Sequence, residues 1–280
     1  MFGKSAGKAK PGRPKDLFGE LSRPGPHRVL RGDLALVGLP GVVFTPESGL
    51  GLPAVAFGHG WMQSATRYTA LFRHLASWGI VVAAPGTQRG PLPSHRLYAH
   101  DLRTALDVCA GVRLGDGAIS VDDYKLGLAG HSTGGGSAVL AAADDPRVRA
   151  VATVSVAEVR PAASEAAARC RMPGLHLAGG RDLIAPPPAH AEVIAQAWGG
   201  PVSLRTLPRA THLGVTDGRH WTELLLHGKA EHTTLRLTKT LFTAFFLVNL
   251  AHNEKYRPLL THDAKGAPIS YQHEQPALTG

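Results

Sequence analysis

Cysteine is scarce in this sequence of 280 residues. Cys109 and Cys170 are the only two, which is too few for the disulfide framework that stabilises many small secreted proteins. Cys109 falls on the apolar side of a predicted helix, where we expect it to pack as a small core residue. The cysteine content therefore favours a reduced, cytoplasmic protein.

Long hydrophobic runs are also missing. The longest apolar stretch, residues 241–250, has about half the length that crosses a bilayer, and we expect it to form the buried face of a C-terminal helix. No apolar segment follows the basic start, so we expect neither a secretory signal peptide nor a membrane span. Hydrophobic residues make up 44% of the chain, which is typical of a globular protein with a buried core.

Acidic residues are too few to balance the basic ones, and the formal net charge is +9. The excess is local, because residues 1–31 hold eight basic and two acidic side chains. We therefore predict a disordered basic leader over residues 1–27 and one folded domain over 28–280. Residues 8–15 partly resemble a DNA minor-groove hook, but Pro11 stands where such hooks have arginine. We expect no nucleic-acid partner beyond this leader.

Metal-binding motifs are absent although the chain has 15 histidines. Neither His-Glu-x-x-His nor Cys-x-x-Cys occurs, and these are the spacings that hold a catalytic or structural zinc ion. We expect no metal and no cofactor, so the chemistry must come from side chains and backbone groups.

Short apolar runs that are typical of buried strands alternate with helical segments along most of the chain. This alternation predicts an α/β fold with a mostly parallel, doubly wound sheet and helices on both faces. The predicted strands cover residues 29–37, 41–44, 53–57, 80–84, 125–129, 148–156, 175–178 and 202–207. The predicted helices cover residues 68–78, 95–110, 137–143, 164–168, 189–198 and 233–250.

The segment Gly130-His131-Ser132-Thr133-Gly134 lies between an apolar strand and a small-residue helix. This Gly-x-Ser-x-Gly pattern in a strand-to-helix turn is typical of a nucleophile elbow, in which the serine hydroxyl points out of the sheet. Glycine is required at 130 and 134 because the strand and the helix pack closely there. Ser132 is therefore the predicted nucleophile.

Two further polar residues follow later strands in the order expected for this chemistry. A serine needs a histidine to take its proton and a carboxylate to orient that histidine. Asp182 and His212 each follow a predicted strand end, so we predict a Ser132, Asp182, His212 triad at the carboxyl edge of the sheet. Glu158 is the alternative acid, and His190 and His220 are the alternative bases.

The oxyanion hole of such a site needs two backbone N–H groups. We predict one from Thr133, which follows the nucleophile, and one from Trp61, in the loop after the strand over residues 53–57. The Trp61 indole and His131 are the predicted substrate-binding side chains.

Five stretches together resemble the α/β-hydrolase superfamily over residues 28–250. They are Phe57-Gly58-His59-Gly60-Trp61, residues 75–85 (LASWGIVVAAP), residues 130–136 (GHSTGGG), Gly180-Arg181-Asp182 and Thr211-His212. The closest likeness is to the branch that holds dienelactone-hydrolase-like esterases, cutinase-like polyester hydrolases and chlorophyllases. The resemblance implies an α/β-hydrolase fold and a carboxylic-ester hydrolase with an acyl-enzyme intermediate.

This chain departs from the secreted polyester hydrolases of that branch. Those enzymes usually have methionine where this chain has Thr133, and a tryptophan in the region that reads Ser155-Val156-Ala157-Glu158 here. We therefore expect a serine carboxylesterase that acts on small soluble esters, short-chain or aryl. The alternatives are a cutinase-like polyester or lipid esterase and a non-catalytic binding protein with the hydrolase fold.

Overall fold

The computed structural model describes residues 13–218, 223 and 228–274. The strands of this part of the chain form one sheet in the order β1-β2-β4-β3-β5-β6-β7-β8-β9. Neighbouring strands from β4 to β8 in this order run parallel, whereas β1, β2 and β9 pair antiparallel at the two edges. The strands are β1 Val29–Asp33, β2 Gly41–Pro46, β3 Gly49–Gly58, β4 Val81–Pro85, β5 Ile119–His131, β6 Val148–Val154, β7 Gly174–Gly179, β8 Val202–Leu207 and β9 Ile269–His273.

Helices cover both faces of the sheet. They are α1 Pro14–Leu21, α2 Thr69–Ser77, α3 His95–Gly111, α4 Thr133–Ala143, α5 Ala163–Ala167, α6 Ala191–Ala197, α7 His232–Asn249 and α8 Pro258–Thr261. Strand side chains alternate between the two layers: Val55 and Phe57 pack with α1, α2 and α7, and Ala54 and Ala56 pack with α3 to α6. The predicted α/β architecture is confirmed. No helix in the described residues is long and apolar enough to cross a membrane.

Part of the predicted leader is folded. Residues 14–21 form α1, in which Leu17 and Leu21 are buried, and the Glu20 carboxylate accepts hydrogen bonds from Lys255 and Tyr256. The prediction of disorder through residue 27 was therefore wrong for the described portion. The basic composition hid a helix whose two leucines, four residues apart, lie on one face. Residues 1–12 of the leader lie outside the described residues.

Several predicted boundaries change for local reasons. The strand predicted over residues 29–37 ends at Asp33, whose side chain accepts a hydrogen bond from the Ala35 N–H and starts a 3₁₀ turn. That turn ends at Gly38, which has a φ of 83°, a conformation that glycine adopts without strain. Strand β9 and helix α8 had no strong sequence signal and were not predicted.

A buried arginine attaches this C-terminal segment to the sheet. Arg205 on β8 is 0% exposed, and its guanidinium donates to the backbone carbonyl oxygens of Leu259, Leu260, His262 and Ala267. The carbonyls of Leu259, Leu260 and His262 lie at the end of α8, where helix carbonyls lack intrahelical donors, so the arginine acts as an internal cap there.

Candidate active site

The turn between β5 and α4 places the predicted nucleophile in a strained conformation. Ser132 has φ 55° and ψ −127°, a region that a non-glycine residue occupies at a cost of about 1–3 kcal/mol. A Cβ on Gly130 would lie 2.5 Å from the Gly134 carbonyl oxygen, and one on Gly134 would overlap the backbone of Gly58. The two glycines therefore allow the tight turn, as the sequence predicted.

Helix α4 begins directly after this serine. It starts at Thr133, four residues before the predicted start at 137. Its first turn contains three consecutive glycines, residues 134–136, and neighbouring elements pack so closely on this turn that side chains at 134 and 136 would not fit. Gly136, for example, has no room for a Cβ, which would lie 2.5 Å from the Ala157 carbonyl oxygen. The positive end of the helix dipole thus lies beside Ser132.

The three predicted triad residues lie in hydrogen-bond contact. Ser132 Oγ is 2.9 Å from His212 Nε2, and His212 Nδ1 is 2.8 Å from Asp182 Oδ2 and 3.0 Å from Oδ1. Ser132 follows β5, Asp182 follows β7 and His212 follows β8, so parallel strands deliver all three groups to one edge of the sheet.

The environment of Asp182 keeps it a carboxylate. Burial alone would raise its pKa, but hydrogen bonds from His212, the Ala185 N–H and the Ser155 hydroxyl, together with the charge of His212, lower the pKa below its ordinary value. The Ile184 N–H also donates to its Oδ1, at 3.0 Å. The carboxylate is thereby fixed as an acceptor for the Nδ1–H of His212.

The alternative acid and bases occupy other positions. The Glu158 carboxylate accepts from the backbone N–H of Ser164, at 3.1 and 3.3 Å, and His190 Nδ1 accepts from the Glu158 N–H at 2.9 Å. Both side chains line the cleft beside Ser132, but His212 pairs with Asp182. His220 lies outside the described residues.

Two backbone N–H groups are available where the oxyanion hole was predicted. Among the described residues, no acceptor bonds the N–H of Trp61 or that of Thr133. Trp61 is also held from its other end, because its indole Nε1 donates to the Pro91 carbonyl oxygen at 3.0 Å. This bond fixes the tryptophan against the loop that follows β4.

The cleft above Ser132 is small. It encloses about 270 Å³ and is lined by Gly60, Trp61, Gln63, His131, Ser132, Thr133, Ala157, Glu158, Ile184, His190, His212 and Leu213. Trp61, Ile184 and Leu213 supply apolar wall, and Glu158 and His190 supply polar groups. The described residues contain no group of three or more His, Cys, Asp or Glu side chains that could hold a metal ion.

His131 differs from its predicted substrate-binding role. Its side chain borders the cleft, but it is 0% exposed, and both ring nitrogens contact protein groups, the Tyr68 hydroxyl and the His212 carbonyl oxygen. We therefore correct that prediction, because no ring nitrogen is left for a substrate.

Sequence reasoning also missed Ser155 and Tyr68. Ser155 follows β6, which lies between the strands of the nucleophile and the acid, so its position in the sheet could have indicated contact with Asp182. Tyr68 lies just before α2, where no local pattern connects it with the elbow.

The chain matches the family described as PETase, PET hydrolase-like, over residues 25–198. The chain belongs to the PET hydrolase-like family. The match spans well over half of the sequence and includes Ser132 and Asp182, whereas His212 lies beyond it. The family lies within the α/β-hydrolase superfamily, which confirms the resemblance stated from the sequence. A search of curated proteins gives no match to this chain.

Proposed function

We propose that this member of the PET hydrolase-like family is a serine carboxylic-ester hydrolase that works through an acyl-enzyme intermediate. The observation that carries the proposal is the continuous contact from Ser132 Oγ to His212 Nε2, at 2.9 Å, and from His212 Nδ1 to Asp182, at 2.8 Å. An ester hydrolase is also what membership of the family supports.

In the first half of the proposed reaction the enzyme is acylated. Ser132 Oγ attacks the ester carbonyl carbon while its proton passes to His212 Nε2. The negative charge that develops on the carbonyl oxygen is stabilised by the N–H groups of Thr133 and Trp61 and by the dipole of α4. The C–O bond to the alcohol then breaks, and His212 returns the proton to the departing alkoxide.

In the second half, water releases the acid. His212 removes a proton from a water molecule, which attacks the acyl carbon of the ester on Ser132. The tetrahedral intermediate collapses, the bond to Ser132 Oγ breaks, and His212 gives the proton back to the serine. Asp182 holds the Nδ1–H of His212 throughout, and it stabilises the imidazolium that forms twice in the cycle.

We propose small soluble esters, short-chain or aryl, as the substrates. The cleft of about 270 Å³ lies just below the usual range of ligand-pocket volumes, roughly 300–1,000 Å³, so it fits a short acyl or aryl group better than a long chain. We also propose a cytoplasmic location, which the two free cysteines support.

Polyester hydrolysis is the second candidate function. The family description favours it, and so do the apolar side chains beside the site: Leu183 is 74% exposed and Ile184 is 38% exposed, directly after Asp182. Exposed apolar groups at the mouth of a cleft can contact an extended apolar surface.

The test is hydrolysis of p-nitrophenyl esters from acetate to palmitate by the wild type and Ser132→Ala, with Ser48→Ala at an exposed position as the control. We expect kcat/KM to fall as the chain lengthens, and Ser132→Ala to lose about 10⁴-fold or more. Ser48→Ala should match the wild type.

Amorphous polyester film serves as the competing substrate in the same assay. Release of soluble acid from film, with weak hydrolysis of the short p-nitrophenyl esters, would favour the second candidate. Full activity in Ser132→Ala would contradict a serine mechanism on any ester.

A further inference from the structure

A chain of hydrogen bonds runs beneath the proposed active site and starts from the residue before the nucleophile. His131 Nε2 lies 2.8 Å from the His212 carbonyl oxygen, and its Nδ1 lies 2.8 Å from the Tyr68 hydroxyl. A carbonyl oxygen only accepts, so Nε2 carries a proton. Burial, together with the nearby His212, lowers the pKa of His131 to about 3. The ring is therefore neutral, and its Nδ1 is an acceptor.

Tyr68 completes the chain. Its hydroxyl donates to His131 Nδ1 and accepts from the Gly60 N–H at 3.0 Å. Burial raises the pKa of this phenol well above its ordinary value, so it keeps its proton. The ring is fixed by Phe57, whose centroid lies 4.8 Å away. Each donor and acceptor thus has one role, in a chain that runs from the Gly60 N–H through Tyr68 and His131 to the His212 carbonyl.

Three of these four residues belong to the segments that carry the proposed reacting groups, and the fourth, Tyr68, lies just before α2. Gly60 immediately precedes Trp61 in the loop after β3, which we call the oxyanion loop. His131 immediately precedes Ser132 in the nucleophile elbow. His212 is the base itself and lies in the loop after β8, which we call the base loop. The segments come from distant parts of the sequence, since Tyr68 and His131 are 63 positions apart and His131 and His212 are 81 apart. All the linking groups are buried, so water does not compete for the bonds.

We propose that Tyr68 and His131 are positioning residues that hold the oxyanion loop, the nucleophile elbow and the base loop in register. The proposal rests on the serine-hydrolase function proposed above. Neither side chain hydrogen-bonds to a reacting atom. The His131 ring packs against the His212 ring, with centroids 4.8 Å apart, and its hydrogen bonds hold the backbone of the residues that react. A displacement of about 1 Å in such a site can lower the rate of the chemical step about 10²-fold.

Tyr68→Phe tests the chain because it removes only the hydroxyl. The ring packing is kept, but the Gly60 N–H loses its acceptor and His131 Nδ1 loses its donor. We expect kcat on p-nitrophenyl acetate to fall about 10- to 100-fold, with KM changing by less than about threefold, since substrate binding is not the target.

Tyr98→Phe is the matched control. Tyr98 is buried, and its hydroxyl accepts from the His59 N–H at 2.7 Å, so this variant also removes one backbone partner from the same loop. The same hydroxyl donates to the Pro85 carbonyl oxygen, so its bonds go neither to the elbow nor to His212. We expect a similar loss of thermal stability in both variants and a kcat within about threefold of the wild type for Tyr98→Phe alone.

A pair of substitutions at His131 separates its two bonds. His131→Gln places an amide N–H near the former Nε2 and can still donate to the His212 carbonyl oxygen. The shorter amide of His131→Asn reaches only the position of the former Nδ1. It therefore keeps the contact with the Tyr68 hydroxyl and loses the one with the His212 carbonyl oxygen. If the link to the base loop sets the rate, His131→Gln retains more kcat than His131→Asn at comparable stability.

The outcomes separate this proposal from the function on which it rests. Esterase activity that is lost in Ser132→Ala but unaffected in Tyr68→Phe, relative to Tyr98→Phe, leaves the proposed function standing and overturns the positioning role. Wild-type kcat in both His131 variants also overturns it, because each variant removes one of the two bonds, and this pair decides the matter if Tyr68→Phe does not fold. A folded wild type that hydrolyses no ester overturns both.

Discussion

The buried histidines of this protein differ in function because their ring nitrogens face different partners. His212 and His131 are both in the interior, but His212 Nε2 faces a serine hydroxyl, whereas both nitrogens of His131 face groups that fix its tautomer. His176 is fully buried and contacts Thr153 through its Nδ1. A histidine can serve as a base only where one nitrogen is left for a reacting proton.

The buried histidines outside the triad predict a loss of stability in acid. Burial lowers the pKa of His74 to about 4, with a contribution from Lys239, and lowers those of His131 and His176 to about 3. Unfolded histidine titrates near 6.5, so the unfolded chain binds more protons below that pH. The stability present above pH 6.5 is therefore lost as the pH falls toward 4.

We expect the free energy of unfolding to drop by about 2 kcal/mol per buried histidine between pH 7 and pH 5, measured by urea titration. His176→Asn, which can keep a partner for Thr153, should make this drop in unfolding free energy smaller by about 2 kcal/mol. The exposed His273→Asn serves as the control. An unfolding free energy that stays constant from pH 7 to pH 5 would contradict the prediction.

At the scale of elements, the local sequence is informative where each helix or strand has its own pattern. The strand before Ser132 and the amphipathic helices α2 and α3 could be predicted because their apolar spacing is regular. Helix α1 could not, since its packing depends on α7 and on the residues around Tyr256, more than 200 positions away. The segment that leads into β9 also depends on a distant residue, because Arg205 on β8 donates to backbone carbonyl oxygens of residues 259–267.

The packing of α1 makes a direct prediction. Leu21 is 0% exposed, so Leu21→Ala should lower the free energy of unfolding by about 2–5 kcal/mol through the lost burial and the cavity. Lys15→Ala, at an exposed position of the same helix, should change it by less than about 0.5 kcal/mol. Chemical denaturation of the two variants measures both values. An unchanged stability in Leu21→Ala would show that α1 contributes nothing to the fold.

At the scale of the whole molecule, the sheet order explains why the site was largely predictable. Ser132, Asp182 and His212 could be found because each follows a strand and parallel strands end at one edge. The bonds of His131 could not be found, because a residue beside the nucleophile gives no sign of whether its ring points to the cleft or to the interior. The orientation of the His131 ring is visible only in the folded structure, where Tyr68, the residue before α2, bonds to its Nδ1.

The central claim, that Ser132 is the nucleophile activated by His212, is tested most directly by covalent labelling. A fluorophosphonate probe reacts with the folded wild type and the adduct is located by peptide mass spectrometry. We predict one adduct, on Ser132, none in Ser132→Ala, and labelling slowed by orders of magnitude in His212→Gln. No adduct in the folded wild type, or an adduct on another residue that persists in Ser132→Ala, would contradict the account.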